Sequence, residues 1–279
     1  MPEIAFVNGR FLPLADATVS VEDRGFQFGD GIYEVIRTYD GRPFELEAHL
    51  ARLDRSAQAL DLRQPYSRQE WTQFATEAIQ RAAFPEAKIY IQITRGVAPR
   101  DHAYHDDLVP TVVMTVRELR PLSLSVRAAG VEAMTIEDIR WGRCDIKSVN
   151  LLANVLARQQ AKHAQVFETI LIRDGQVTEG AVSNVMLVRD GTVMTAPEGP
   201  LILSGVTRAV VFQIARQEGL HIREQYCSQA DLHAAAEVFL TGTTVEVLGV
   251  VRIDGKPIGD GKPGPVTQRL ATRFLERTL

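Results

Sequence analysis

The stretch Arg143-Cys144-Asp145-Ile146-Lys147-Ser148-Val149-Asn150-Leu151-Leu152 decides how the rest of the chain is interpreted. It places a lysine among apolar residues, at the predicted end of a strand and just before a long amphipathic helix. Only five of the 31 lysines and arginines are lysines, and Lys147 alone has this setting. Desolvation favours the neutral amine of a lysine, which is the nucleophile of Schiff-base chemistry. Taken alone, however, a lysine here more often extends from a helix start into solvent.

The composition is that of a globular protein with one large domain or two domains of ordinary size. The chain has 279 residues, of which 45% are hydrophobic and 24% charged. Its net charge of −4 offers no electrostatic attraction to nucleic acid or to an anionic membrane. No signal peptide and no apolar run of about 18–20 residues is present, so we expect no membrane partner. Two cysteines do not form a disulfide framework, which indicates a cytoplasmic location.

Turn dipeptides separate a series of short strands. Such dipeptides between apolar segments favour hairpins, because both turn residues must tolerate positive φ. They are Asn8-Gly9, Asp40-Gly41, Asp174-Gly175, Asp190-Gly191 and Asp254-Gly255. The strands predicted around them are 4–7, 10–14, 32–39, 43–46, 167–172, 176–178, 182–188 and 193–195, with two central strands at 88–94 and 111–116.

Helices are predicted between the groups of strands, at 47–60, 67–82, 149–164, 206–218 and 265–279. The helix after residue 67 opens with the capping box Ser67-Arg68-Gln69-Glu70. Strands grouped with strands, and helices between the groups, predict an α+β fold. The strand pattern stops near a proline, so we predict an N-terminal α+β domain at 1–118, a linker at 119–122 and a C-terminal domain at 123–279 that carries Lys147.

Several polar features downstream and upstream give Lys147 a chemical context. Glu179 is a carboxylate beside a turn glycine, and the segment 203–208 opens a helix whose free N–H groups suit an anion. Thr243 follows a strand in a hydroxyl-rich turn, and Arg52 adds a cation. An amine, an isolated carboxylate, an anion site and an arginine together describe a pocket for pyridoxal phosphate.

These motifs resemble the fold-type IV pyridoxal-phosphate enzymes, and among them the D-amino-acid aminotransferases. The resemblance runs from Ile4 to the C-terminal helix and keeps the family's order and spacing. Its landmarks are Gly29-Asp30-Gly31-Ile32-Tyr33-Glu34-Val35, His49-Leu50-Ala51-Arg52-Leu53, Thr94-Arg95-Gly96, Arg100-Asp101-His102, Asp138-Ile139-Arg140-Trp141, Lys147-Ser148, Thr178-Glu179-Gly180, Ser183-Asn184 and Gly205-Val206-Thr207-Arg208. It implies a smaller N-terminal domain and a larger C-terminal domain with a barrel-like sheet and flanking helices.

The resemblance also implies roles for individual residues. Lys147 would be the Schiff-base lysine and proton carrier, and Glu179 would pair with the pyridine nitrogen. The residues implied for the phosphate are Arg52, Val206, Thr207 and Thr243, and Leu203 would pack against the ring. Those implied for the substrate carboxylate are Tyr33, Arg100 and His102, the last two reaching in from the partner subunit of a homodimer. Arg140 and Glu168 match a supporting pair near the ring hydroxyl.

Three positions depart from the family pattern. Ala181 and Val182 stand where small hydroxyl residues commonly follow the Glu-Gly, and Gly242 replaces another hydroxyl. These changes remove side-chain hydrogen bonds near the cofactor and leave a larger substrate pocket.

The implied reaction is transamination of a D-amino acid with a 2-oxo acid such as 2-oxoglutarate or pyruvate. Aminodeoxychorismate lyase and a transaminase for L-branched-chain acids or primary amines are alternatives of the same fold, since they share Lys147 and Glu179. A binding protein without activity is disfavoured because the lysine is retained. A metal hydrolase using His102, His105 and Asp106 is the most different alternative, but we expect no metal site.

Overall fold

The computed structural model describes residues 3–279, which form two compact units. The first unit holds the chain up to Arg120 together with Ile146–Asn150, and the second holds Pro121–Asp145 and Leu151–Leu279. The segment that carries Lys147 therefore belongs to the first unit, whereas the sequence prediction assigned it to a C-terminal domain. The reason is that backbone hydrogen bonds join residues 147–149 to residues 31–33 of the first unit.

The first unit is a six-stranded sheet with two long helices. Its elements are β1 (Ile4–Val7), β2 (Arg10–Pro13), a 3-10 turn (Leu14–Asp16), α1 (Arg24–Phe28), β3 (Gly31–Tyr39), β4 (Arg42–Pro43), α2 (Leu46–Ala59), α3 (Arg68–Ala82), β5 (Ala87–Thr94) and β6 (Thr111–Glu118). The strand order is β2-β1-β6-β5-β3-β4, and every pairing is antiparallel.

Alternation of buried and half-buried residues along β5 shows how the sheet forms the core. Ile89, Ile91 and Ile93 are completely buried, and α2 and α3 contribute Leu50 and Trp71 to the same apolar cluster. The predicted capping box at Ser67 is present at the start of α3. The predicted strand 43–46 is wrong beyond Pro43, because Leu46 already begins α2.

The second unit is built on a nine-stranded mixed sheet. Its elements are α4 (Leu124–Ala129), β7 (Val131–Glu137), α5 (Leu152–His163), β8 (Glu168–Arg173), β9 (Gln176–Gly180), β10 (Asn184–Arg189), β11 (Thr192–Thr195), α6 (Val206–Gln217), β12 (His221–Glu224), α7 (Gln229–His233), β13 (Glu237–Gly242), β14 (Glu246–Ile253), β15 (Lys256–Pro257) and α8 (Pro265–Glu276). The order is β12-β11-β10-β13-β14-β7-β8-β9, with β15 on β14.

This sheet curls upon itself. The edge strand β9 continues into β10 through a tight turn in which the Gly180 amide donates to the Ser183 carbonyl at 2.7 Å. The strands from β10 to β9 thus surround one apolar cluster, to which Ile170, Leu240 and Val250 contribute. The α+β fold class with a barrel-like sheet is therefore confirmed. No helix within residues 3–279 is long and apolar enough to cross a bilayer.

Candidate active site

Lys147 is held by a short strand-like segment against β3. The Tyr33 amide donates to the Lys147 carbonyl at 2.9 Å, and the Val149 amide donates to the Gly31 carbonyl at 3.0 Å. The Lys147 amide donates to Ser56 Oγ at 3.2 Å. These contacts hold residues 147–149 against β3 and outside a helix, which explains why α5 begins at Leu152 and not at the predicted residue 149.

The amine of Lys147 lies over an aromatic face. Its Nζ is 4.2 Å from the centroid of the Tyr33 ring, and the side chain is half-buried. Tyr33 in turn contacts Tyr90, with ring centroids 5.7 Å apart. The structure therefore brings together two of the predicted site residues, the nucleophile and one member of the carboxylate trap.

Arg52 belongs to a buried ionic cluster that the sequence analysis did not identify. Its Nε and Nη2 donate to the two oxygens of Glu34 at 2.7 and 2.9 Å, and His49 Nδ1 lies 2.8 Å from Glu34 Oε2. All three side chains are almost completely buried. Burial raises the pKa of Glu34, but Arg52 and His49 outweigh burial and hold that pKa well below its usual range. Burial lowers the pKa of His49, although the Glu34 carboxylate acts in the opposite direction.

A pattern in the sequence could have found this cluster. Glu34 occupies the same face of β3 as the buried Ile32 and Ile36, and a carboxylate at such a position requires a cationic partner. His49 and Arg52 are three residues apart on α2, so they share one helix face.

Arg100 and His102 lie on an exposed loop between β5 and β6. Both rest on one aromatic side chain: the Arg100 guanidinium is 4.7 Å from the Phe28 ring centroid, and the His102 ring centroid is 5.3 Å from it. Tyr33, in contrast, contacts Lys147.

Glu179 is the centre of the polar cluster in the second unit. Its Oε1 accepts from Arg140 Nη1 at 2.5 Å, and its Oε2 accepts from Asn184 Nδ2 at 2.9 Å and from the Leu203 amide at 3.1 Å. Asn184 also donates to the Leu203 carbonyl at 2.9 Å. The carboxylate is therefore buried and fixed in direction, as a partner for a protonated ring nitrogen must be.

Arg140 is itself held by a buried carboxylate. Its Nε and Nη2 donate to the two oxygens of Asp138 at 2.9 and 2.8 Å. Burial raises the pKa of Asp138, but Arg140 outweighs burial and keeps the pKa below its usual range. Glu168, the other residue implied near the ring hydroxyl, accepts from Arg158 at 3.2 Å and from Ser183 Oγ at 2.9 Å.

Helix α6 begins beside this cluster. Its first residues, Val206 and Thr207, are buried, and no side chain caps the N-terminus at Gly205. A Cβ at Gly205 would lie 2.0 Å from Asn184 Oδ1, so the glycine permits the close approach that orients the amide toward Glu179. The first-turn amides suit an anion.

Thr243 lies half-buried in the turn between β13 and β14. The turn ends at Glu246, whose φ of 60° is unusual for a residue with a side chain. Its buried carboxylate forms an ion pair with Arg127. Of the three departures from the family pattern, Ala181 is buried and Val182 is exposed, while Gly242 is half-buried.

His102, His105 and Asp106, which the hydrolase alternative requires, are exposed. Within residues 3–279, no group of three or more His, Cys, Asp or Glu side chains is arranged to hold a metal ion.

Comparison of the chain with known proteins identifies its family. The family model for class IV amino-transferases matches residues 31–253. A D-alanine aminotransferase of Bacillus licheniformis is 43% identical over 272 residues, which cover 98% of this chain and 96% of that protein.

Solved structures of aminotransferases have the same fold as this chain. The branched-chain amino acid aminotransferase of Escherichia coli superposes with a TM-score of 0.92 at 27% identity, covering 99% of this chain and 94% of that one. The branched-chain amino acid aminotransferase from T.th., solved with pyridoxamine 5'-phosphate, gives 0.88 at 28% identity, covering 100% and 94%. The resemblance inferred from the motifs is confirmed: this chain belongs to the class IV aminotransferases, a family of pyridoxal-phosphate enzymes.

Proposed function

We propose that this protein transfers the amino group of D-amino acids, with D-alanine as the reference substrate, to a 2-oxo acid. The observation that carries the proposal is the similarity to D-alanine aminotransferases, at 41–43% identity over nearly the whole chain. The solved branched-chain aminotransferases named above are 27–28% identical. The loop with Arg100 and His102 supports the same choice, because a guanidinium and an imidazole suit a substrate carboxylate.

The residues present fit pyridoxal phosphate. Glu179 is a buried, oriented carboxylate, and α6 presents first-turn amides without a side-chain cap. Arg52 is a fixed guanidinium, and Lys147 is a half-buried amine. The cofactor, when bound, supplies the carbonyl that reacts with amines and a ring that accepts an electron pair.

Each part of the cofactor has residues suited to hold it. Arg52, Val206, Thr207 and Thr243 would bind the phosphate, and Leu203 would pack on the ring through its side chain while its amide fixes Glu179. Glu179 would accept a hydrogen bond from the protonated ring nitrogen. Arg140, which forms an ion pair with the same carboxylate, would stabilise its negative charge beside that proton.

Lys147 would carry the proton. Its Nζ would take the proton from the α-carbon of the substrate as a base and would give it, as an acid, to the carbon that takes over the amino group. Hydrogen bonds on both sides of Lys147 fix its backbone, and the Tyr33 ring lies beside the amine. The fold therefore fixes the backbone position from which the Lys147 side chain extends.

Tyr33, Arg100 and His102 would bind the substrate carboxylate, with Arg100 and His102 supplied by the partner subunit of a homodimer. Their different contacts within one chain support this arrangement, because Tyr33 contacts Lys147 whereas the other two contact Phe28. An exposed apolar stripe on α5, formed by Leu152, Val155 and Leu156, supports contact with a second copy.

We also propose that the protein is cytoplasmic. It is supported by Cys144 and Cys227, which are both buried and unpaired.

The test is a steady-state assay with D-alanine and 2-oxoglutarate. We expect pyruvate and glutamate in equal amounts and parallel-line kinetics, since each substrate reacts in a separate half-reaction. L-leucine should be a poor donor. Pyruvate released from aminodeoxychorismate without an acceptor would instead identify a lyase.

Arg100→Ala separates substrate binding from cofactor binding. We expect kcat/KM for D-alanine to fall by about 100-fold, the loss of a charge-assisted contact of about 3 kcal/mol. The dissociation constant of pyridoxal phosphate should stay within twofold. Arg63→Ala, at another exposed arginine of the first unit, is the matched control and should change neither value. Equal loss of both properties in Arg100→Ala would contradict the assignment.

A further inference from the structure

Arg24 is a buried arginine that has no role in the proposed reaction. It is the first residue of α1, and its side chain is 4% exposed. Its Nε donates to Asp30 Oδ2 at 2.8 Å. Its Nη1 donates to the Asp101 carbonyl at 2.6 Å, and its Nη2 donates to the His102 carbonyl at 3.1 Å.

We propose that Arg24 is the positioning residue of the substrate-carboxylate loop, here defined as residues 100–104. The inference rests on the proposed function, in which Arg100 and His102 bind the carboxylate. Arg24 touches neither of those side chains by hydrogen bonds. It fixes the backbone that carries them, including the Ala103 carbonyl at 3.4 Å.

The geometry requires an arginine. The Nε of the guanidinium donates to Asp30, and the two terminal nitrogens donate to consecutive carbonyl groups of the loop. A planar guanidinium has five donors in a fixed fork, whereas a lysine ammonium is a single point. The carbonyl oxygens and Asp30 together surround the buried positive charge.

A second arginine completes the support of the loop. Arg95 donates to Asp30 at 2.9 Å, and its guanidinium lies 3.6 Å from the Tyr104 ring centroid. Asp30 thus joins two arginines, one of which holds the loop carbonyls while the other contacts an aromatic residue at the end of the loop.

Helix α1 provides a fixed base for this arrangement. The Arg24 amide donates to the Gly96 carbonyl at 2.8 Å, and Thr94 Oγ1 donates to Asp23 at 2.9 Å. Phe28 of the same helix contacts the side chains of Arg100 and His102. A substrate-binding loop held from a rigid element needs less ordering when substrate binds.

The experiment compares Arg24→Met with Arg37→Met. Arg37 is the matched control because it is another buried arginine of the first unit, paired with Glu86 at 2.8 Å and distant in sequence from the loop. For Arg24→Met we expect KM for D-alanine to rise at least tenfold with kcat within threefold, because the trap binds substrate and transition state alike. Pyridoxal-phosphate affinity should stay within twofold. Amide hydrogen exchange in residues 100–104 should become faster.

Arg24→Lys provides a second variant in case the methionine variant does not fold. It keeps the charge but cannot contact Asp30 and two carbonyls together, so KM and loop exchange should remain raised while cofactor affinity is normal. Unchanged KM and exchange in the Arg24 variants would overturn the proposal, as would equal changes in Arg37→Met. If the wild type did not use D-alanine, the proposed function would fail, whereas the exchange data would still report whether Arg24 holds the loop.

Discussion

Replacing Glu34 with glutamine should strongly destabilise the protein. The Glu34 carboxylate is completely buried and is bound by Arg52 through two hydrogen bonds, with His49 on one of its oxygens. Glutamine has nearly the same volume, so no cavity forms and the main effect is loss of charge. Removing one partner of a buried ion pair leaves an uncompensated charge and costs about 3–5 kcal/mol. That cost is a large share of the usual net stability of about 5–15 kcal/mol.

The assay is urea denaturation of the cofactor-free protein, followed by circular dichroism. Glu77→Gln is the control, because Glu77 forms an exposed pair with Arg81 on α3, worth less than about 1 kcal/mol. We also expect Glu34→Gln to lose pyridoxal phosphate faster on dialysis, since the guanidinium of Arg52 is no longer fixed. A free energy of unfolding within about 1 kcal/mol of the wild type would refute the expected cost of breaking the buried pair.

The remaining predictions concern pH dependence, packing at Gly205 and the reactivity of a thiol. Because burial lowers the pKa of His49 in the folded protein, the unfolded chain binds the proton more readily, so the free energy of unfolding should fall as pH decreases below about 6.5. His49→Gln should reduce this dependence of the free energy of unfolding on pH, measured in a series of urea titrations. An unchanged slope would show that His49 does not cause the dependence. Gly205→Ala should weaken cofactor binding at least tenfold in a fluorescence titration, because the added Cβ meets Asn184, whereas Gly199→Ala, which meets no atom within 4 Å, should leave it unchanged. Burial raises the pKa of Cys144 to about 11, so iodoacetamide at pH 8 should label this thiol only in denaturant, as measured by mass spectrometry; rapid labelling of the native protein would show that the thiol is accessible.

Local sequence patterns predicted most of the secondary structure. The helix predicted at 47–60 is found at Leu46–Ala59, and that predicted at 206–218 is found at Val206–Gln217. The helix predicted at 149–164 begins later, at Leu152, because backbone pairing with β3 holds residues 147–149 outside the helix. That pairing joins segments more than 100 residues apart, which periodicity cannot reveal.

The candidate site was only partly predicted, because sequence patterns do not show which segments far apart along the chain come together. Motifs pointed to Lys147 and Glu179, whose roles remain predictions, and the structure shows what surrounds them. Asp138 and Asn184 lie within the quoted motifs, but their hydrogen bonds with Arg140 and Glu179 were not predicted, because spacing along the sequence does not show which way a side chain points. Glu34 could have been identified, since it interrupts an apolar face of β3.

The most direct test of the central claim is a single half-reaction. The protein loaded with pyridoxal phosphate is mixed with D-alanine or L-alanine in the absence of an acceptor, and the visible absorbance of the bound cofactor is followed together with pyruvate. We predict that D-alanine removes this absorbance and yields one pyruvate per active site, that L-alanine does so far more slowly, and that Lys147→Ala abolishes turnover. Conversion of L-alanine at the rate of D-alanine, or an undiminished rate in Lys147→Ala, would contradict the account.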